Sequence, residues 1–146
     1  QMPDFTILLS VPAGQAKKPP VLDAADYPGV IKGYELGESS QKKTPYVRFN
    51  LGLTGWPEGA EPQTKESGEP IDLSTKSLRR DYFLTPDALW RLDEMLKAIG
   101  IEAAGRSYQD ILPETVGSAV LVEVRQGMNQ TTNDLFNEVN QIRAIE

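Results

Sequence analysis

The sequence predicts an all-β (mainly β) fold: a five-stranded barrel with a helix between strands three and four, preceded by an extended N-terminal arm. Two observations predict it. Residues 46–53 alternate apolar and polar side chains without a break, the mark of a half-buried strand. A helix with clean ends at 85–100 follows three strand-like runs and precedes two more.

Residues 1–26 read as the arm. Pro12, Pro19 and Pro20 break any regular element, and Gly14 loosens it further. Its apolar piece, 5–11, is expected to add a strand or to dock on a neighbour, with Phe5 and Leu8 as oligomer contacts; a partly ordered tail is the alternative. Gln1 ahead of Met2 reads as an extra residue before a natural start.

The domain is expected to span 27–146. Its first strand, 27–36, opens with Pro28-Gly29 and is interrupted by Gly33, which suggests a bulge or a sharp bend. A polar turn at 38–45 leads into strand two, where Val47, Phe49, Leu51 and Leu53 point one way. Tyr46, Arg48, Asn50 and Gly52 point the other. Residues 54–75 are rich in Pro, Gly and Glu and read as a long flexible connection. Strand three, near 76–84, carries Arg79-Arg80 before Tyr82-Phe83, and its facing is ambiguous.

Thr85 suits the N-cap of the helix, Pro86 its first turn and Gly100 its left-handed stop. Leu89, Leu92, Leu96 and Ile99 form its apolar stripe, which should plug one end of the barrel. Trp90 projects nearly opposite, and packing on the arm or on a second subunit is the expectation for it. A short helix at 107–112 ends before Pro113. Strand four follows Gly117, with Val120, Val122 and Val124 on one face. Strand five, 135–145, switches phase between Val139 and Ile142, so a bulge or bend is expected there. No internal repeat is evident.

The chain has 146 residues and a net charge of −6, with no Cys and no His. Disulfides, thiol chemistry, the usual zinc sites and Ser-His-Asp catalysis are thereby excluded. Asp93 and Glu94 are neighbours on a solvated helix face, which suits solvation better than acid–base work. A non-enzymatic protein without metal or cofactor is expected. No apolar run approaches membrane-spanning length, and no signal peptide is evident. The charge is uneven. Residues 32–80 hold 8 basic and 7 acidic side chains, and residues 81–146 hold 5 and 11. An anion-binding surface should therefore come from the first three strands.

The order strand-strand-strand-helix-strand-strand is that of the five-stranded OB barrel, whose strands two and three commonly face single-stranded nucleic acid or sugars. That geometry selects Tyr46 and Arg48 from strand two, Arg79 or Arg80 from strand three, and Lys32 or Tyr34 from strand one. Loops carrying Trp56 and residues 128–130 would flank them. Aromatic faces stack on any base for about 1–3 kcal/mol each, while Arg and Lys follow phosphates. The same residues also suit an ordinary solvated strand face, and Arg79-Arg80 have Asp81 and Asp87 as pairing partners.

Several stretches are similar to phage-encoded single-stranded-DNA-binding proteins. They are Tyr27-Pro28-Gly29-Val30-Ile31-Lys32-Gly33-Tyr34, Lys43-Thr44-Pro45-Tyr46-Val47-Arg48-Phe49 and Arg79-Arg80-Asp81-Tyr82-Phe83-Leu84-Thr85. Ala88-Leu89-Trp90-Arg91-Leu92, the strand at 117–124 and the closing run at 137–140 continue the likeness, which covers about 27–145. The resemblance implies an OB fold and sequence-tolerant binding of single-stranded DNA in phage DNA replication or recombination. It also implies a place in the cytoplasm of an infected bacterium, with self-association and other phage replication proteins as partners. Many single-strand binders end in a flexible acidic tail, whereas this sequence ends almost on its last strand; either there is no such tail or it lies outside this sequence, and recruitment through it is not expected. The second expectation is a virion structural or assembly protein that binds no nucleic acid.

Overall fold

Fourteen residues of β1 (Ala25–Glu38) serve two neighbours at once. In this computed structural model, which describes residues 20–145, the first part of β1 pairs with β4 (Ala119–Met128) and the remainder with β2 (Pro45–Leu53). β3 (Leu78–Phe83) extends the sheet beyond β2, and β5 (Leu135–Ala144) extends it beyond β4. All neighbouring pairs are antiparallel, in the order β3-β2-β1-β4-β5.

Alternation selects the inner face. Val47, Phe49 and Leu51 of β2 meet Ile31 and Tyr27 of β1, Val120, Val122 and Val124 of β4, and Tyr82 of β3 in one buried cluster. The bulge expected at Gly33 is present: Ile31 opposes Leu51, Gly33 opposes Asn50, and Lys32 is the extra residue. It reverses the phase of β1, so Tyr34 opposes Phe49 on the inner side. The bend expected in β5 is present too. Val139 opposes Val124 and Gln141 opposes Glu123, which leaves Asn140 unpaired in the ladder.

The sheet is not closed into the expected barrel. β3 and β5 approach one another, yet no backbone ladder joins them. Four antiparallel steps give these two edges the same direction, so closure would need the slanted bonds of a parallel pair. A side chain occupies the seam instead. Arg80 donates from Nε to the carbonyl of Asn140 at 3.1 Å and from its guanidinium to the Asp81 carbonyl. The β5 bulge leaves the Asn140 carbonyl available to it.

α1 (Leu89–Ala98) packs on both edge strands and buries Leu92, Met95 and Leu96. It starts later than the sequence suggests: Ala88 and Leu89 donate to the Thr85 carbonyl, so 85–88 form a turn. Its end is as expected. Gly100, at φ 88°, donates to Lys97, and Ile101 donates to Leu96, which closes a Schellman stop. α2 (Tyr108–Thr115) is capped by the Ser107 side chain and contains Pro113 rather than ending before it.

The boundary at residue 26 is too late. Leu22 is fully buried, and Ala25 and Asp26 pair with Val124 and Glu123. Leu22 donates to Asn137 Oδ1 at 2.8 Å, while its carbonyl accepts from Gln126 and Asn137. Phe5 and Leu8 lie outside the described residues. The connection 54–75 is also more than a loose loop. Ile71 is buried, Trp56 packs on the core, and Gln63 accepts the Asp23 N–H. Lacking any hydrophobic period, this segment hides such contacts from sequence reasoning.

Candidate nucleic-acid interface

The outer face of β1, β2 and β3 is fixed by register. Gly37, Tyr46 and Phe83 form one row across the three strands. Glu35, Arg48 and Asp81 form the next, and Gly33, Asn50 and Arg79 the third. Lys32 lies beside them with its stem over Gly52, where an added Cβ would lie 2.8 Å from Lys32 Cε.

Of the two strand-three candidates, Arg79 therefore faces outward, while Arg80 turns inward and stacks on Tyr82 at 4.4 Å. Burial pushes the Tyr82 hydroxyl up to about 12, so that ring stays neutral beside Arg80. Arg48 is on the expected face but is not an uncommitted cation. Asp81 grips it through two bonds, of 2.8 and 3.0 Å, and Glu35 lies 3.9 Å away. The hydrogen bond to Asp81 holds the guanidinium charged well above the ordinary arginine range. Its charge is matched locally, and it also lies 5.1 Å from the centre of the Tyr46 ring. Among the described residues no carboxylate pairs with Lys32, Arg79 or Arg80.

Two expected aromatics are elsewhere. Tyr34 packs against the core because the bulge turned it inward. Trp56 is half-buried with its ring 6.1 Å from Tyr27, so it lines the core rather than the outer face. Two rings that do reach solvent, Phe83 on the same face as Arg79 and Phe136 in a cleft with it, were missed. Phe83 is 42% exposed and meets Tyr46 edge to face at 6.3 Å. Phe136, 44% exposed, lines a cleft of about 590 Å³ in the open seam, with Asn50, Arg79, Arg80 and Glu138.

A signal for Phe136 was present in the sequence. The two hairpins have the same plan: Gly37, Ser39, Lys43 and Tyr46 are spaced like Gly127, Asn129, Asn133 and Phe136. Ser39 and Asn129 each accept the N–H of the left-handed residue four positions on, Lys43 at φ 50° and Asn133 at φ 60°. Each aromatic then lies over the glycine opposite it. A Cβ on Gly37 would stand 2.6 Å from the Tyr46 hydroxyl, and one on Gly127 would stand 2.5 Å from Phe136 Cζ. Hydropathy does not reveal this repeat, because glycine spacing and turn geometry carry it.

Among the described residues no group of three or more His, Cys, Asp or Glu side chains could hold a metal, and no helix is long and apolar enough to cross a membrane. In the cleft near α2, bounded by Asp93, Lys97, Glu102, Arg106 and Tyr108, Tyr108 donates to Asp93 and Arg106 pairs with Glu114. No family model matches this chain, and no curated protein matches it.

Proposed function

We propose that this protein binds single-stranded nucleic acid, single-stranded DNA in the first instance, without sequence preference and without catalysis. The observation that carries this reading is the outer face of β2 and β3. Solvent-reaching rings of Tyr46 and Phe83 lie on the same face as Lys32 and Arg79, and this face borders the seam cleft with Arg80 and Phe136. Stacking platforms on one face with cations that have no carboxylate partner among the described residues suit an unpaired strand, whose bases expose π-faces and whose phosphates need no fixed duplex geometry. The strand order, with a helix between β3 and β4, supports an OB-type domain that lacks its last ladder. With the resemblance to phage single-strand binders, the proposed setting is phage DNA replication or recombination in the infected cell, acting as a homo-oligomer alongside other replication proteins.

Titration of a fluorescein-labelled oligo-dT, followed by anisotropy at several salt concentrations, tests the reading. Three cations without a carboxylate partner among the described residues, Lys32, Arg79 and Arg80, are expected to give a slope of log K against log salt of about −2. No change in anisotropy at low salt would overturn it and favour an assembly role.

Asp81→Asn provides a sharper check. It releases Arg48 from its bidentate partner, leaves only Glu35 at 3.9 Å, and raises the net charge of the face by one. Binding is expected to tighten about 5-fold near 0.1 M salt, with the slope steeper by about 0.7. Weaker binding by a folded variant would place the strand away from this face.

A further inference from the structure

A third cleft opens where α1 crosses the two edge strands. It measures about 420 Å³, and its walls include Arg80, Trp90, Arg91, Glu94, Gln141 and Arg143. Arg80 also lines the seam cleft, so the two depressions share it as a wall residue. Trp90 is 52% exposed, and the Arg91 guanidinium lies 5.0 Å from the centre of its ring. Arg143 adds no free charge, being held by Asp26 and Glu123. Among the described residues Arg80 and Arg91 have no carboxylate partner, and Glu94 is the one acid in the lining.

We propose that this cleft is a second segment of the nucleic-acid path: a single strand leaving the seam at Arg80 continues onto α1, stacks a base on Trp90 and places a phosphate against Arg91. The inference rests on the single-strand reading above. An indole beside an unpaired guanidinium supplies both contacts that such a strand needs. A second copy of the chain is the poorer occupant, because the cleft wall is largely polar and charged and offers little apolar area to bury. The sequence suggested a contact role for Trp90; the cationic walls and the continuity through Arg80 select the kind of partner.

The test uses oligo-dT of about 5 and about 15 nucleotides, near the two ends of the range of site sizes for one OB domain. Trp90→Ala is expected to weaken binding of the longer strand about 5- to 150-fold, the loss of one stacked base, while leaving the shorter within about 2-fold. Trp90→Phe should abolish quenching of indole emission by the longer strand, since Trp56 is packed on Tyr27. Arg91→Ala should lower the salt slope for the longer strand by about 0.7 and serves as the second variant if Trp90→Ala melts early. Wild-type binding of both strands with no effect of either substitution would overturn this inference alone. So would an unchanged affinity accompanied by a smaller mass in solution, which would assign the cleft to a second copy. Failure of the wild type to bind either strand would remove the single-strand reading and this path together.

Discussion

Replacing Phe49 by alanine is expected to lower the unfolding free energy by about 3–5 kcal/mol, the usual cost of truncating a fully buried phenylalanine. Its side chain has no solvent exposure, and it sits on the inner face of β2 opposite both Tyr34 of β1 and Arg80 of β3. Its ring meets Tyr82 edge to face at 5.8 Å, a contact worth about 0.5–1.5 kcal/mol beyond burial. Because β3 is an edge strand with no ladder on its outer side, it depends on such inward contacts more than β1 or β4 does. Domains of this size hold about 5–15 kcal/mol in all, so the loss is a large share of stability. Thermal melting followed by circular dichroism should show a midpoint roughly 10 °C lower. Phe83→Ala, on the outer face, should shift it by less than a quarter as much. A loss below about 1 kcal/mol at Phe49 would mean that β2 does not sit at the centre of the core.

The strands were legible where one face is buried and the other wet. Val47, Phe49, Leu51 and Leu53 announced β2, and the phase change between Val139 and Ile142 announced the β5 bulge. What remained hidden depends on partners distant in the chain. A one-residue bulge at Lys32 reverses every later side chain of β1, so the direction of Tyr34 followed from pairing with β2. The choice between Arg79 and Arg80 needed the β2–β3 register, which a long aperiodic connection conceals. The same register sets Asp81 across from Arg48 and neutralises the most prominent cation of the expected site. Closure was hidden for a related reason. The seam joins strands far apart in sequence, and a single guanidinium stands where a ladder was expected.

Removing Lys32 and Arg79 together is expected to weaken oligo-dT binding about 25-fold near 0.1 M salt. Each phosphate contact to a single strand contributes about 0.7 to the salt slope, so two contacts over one decade of salt give about 1.4 decades of affinity. Among the described residues the two are outward cations of the β1–β3 face without a carboxylate partner, and neither is buried in the core, so folding should be unaffected. The salt slope separates this from a general change in net charge. Lys97→Ala removes one positive charge from α1, away from the face, and should alter affinity less than 2-fold and the slope hardly at all. The double variant should lower the magnitude of the slope by about 1.4, leaving a residue from Arg80. Lys32→Arg, which keeps the charge, should bind like the wild type. If the double variant keeps the wild-type slope and a normal melting curve, its two cations touch no phosphate, and the strand cannot lie across β2 and β3.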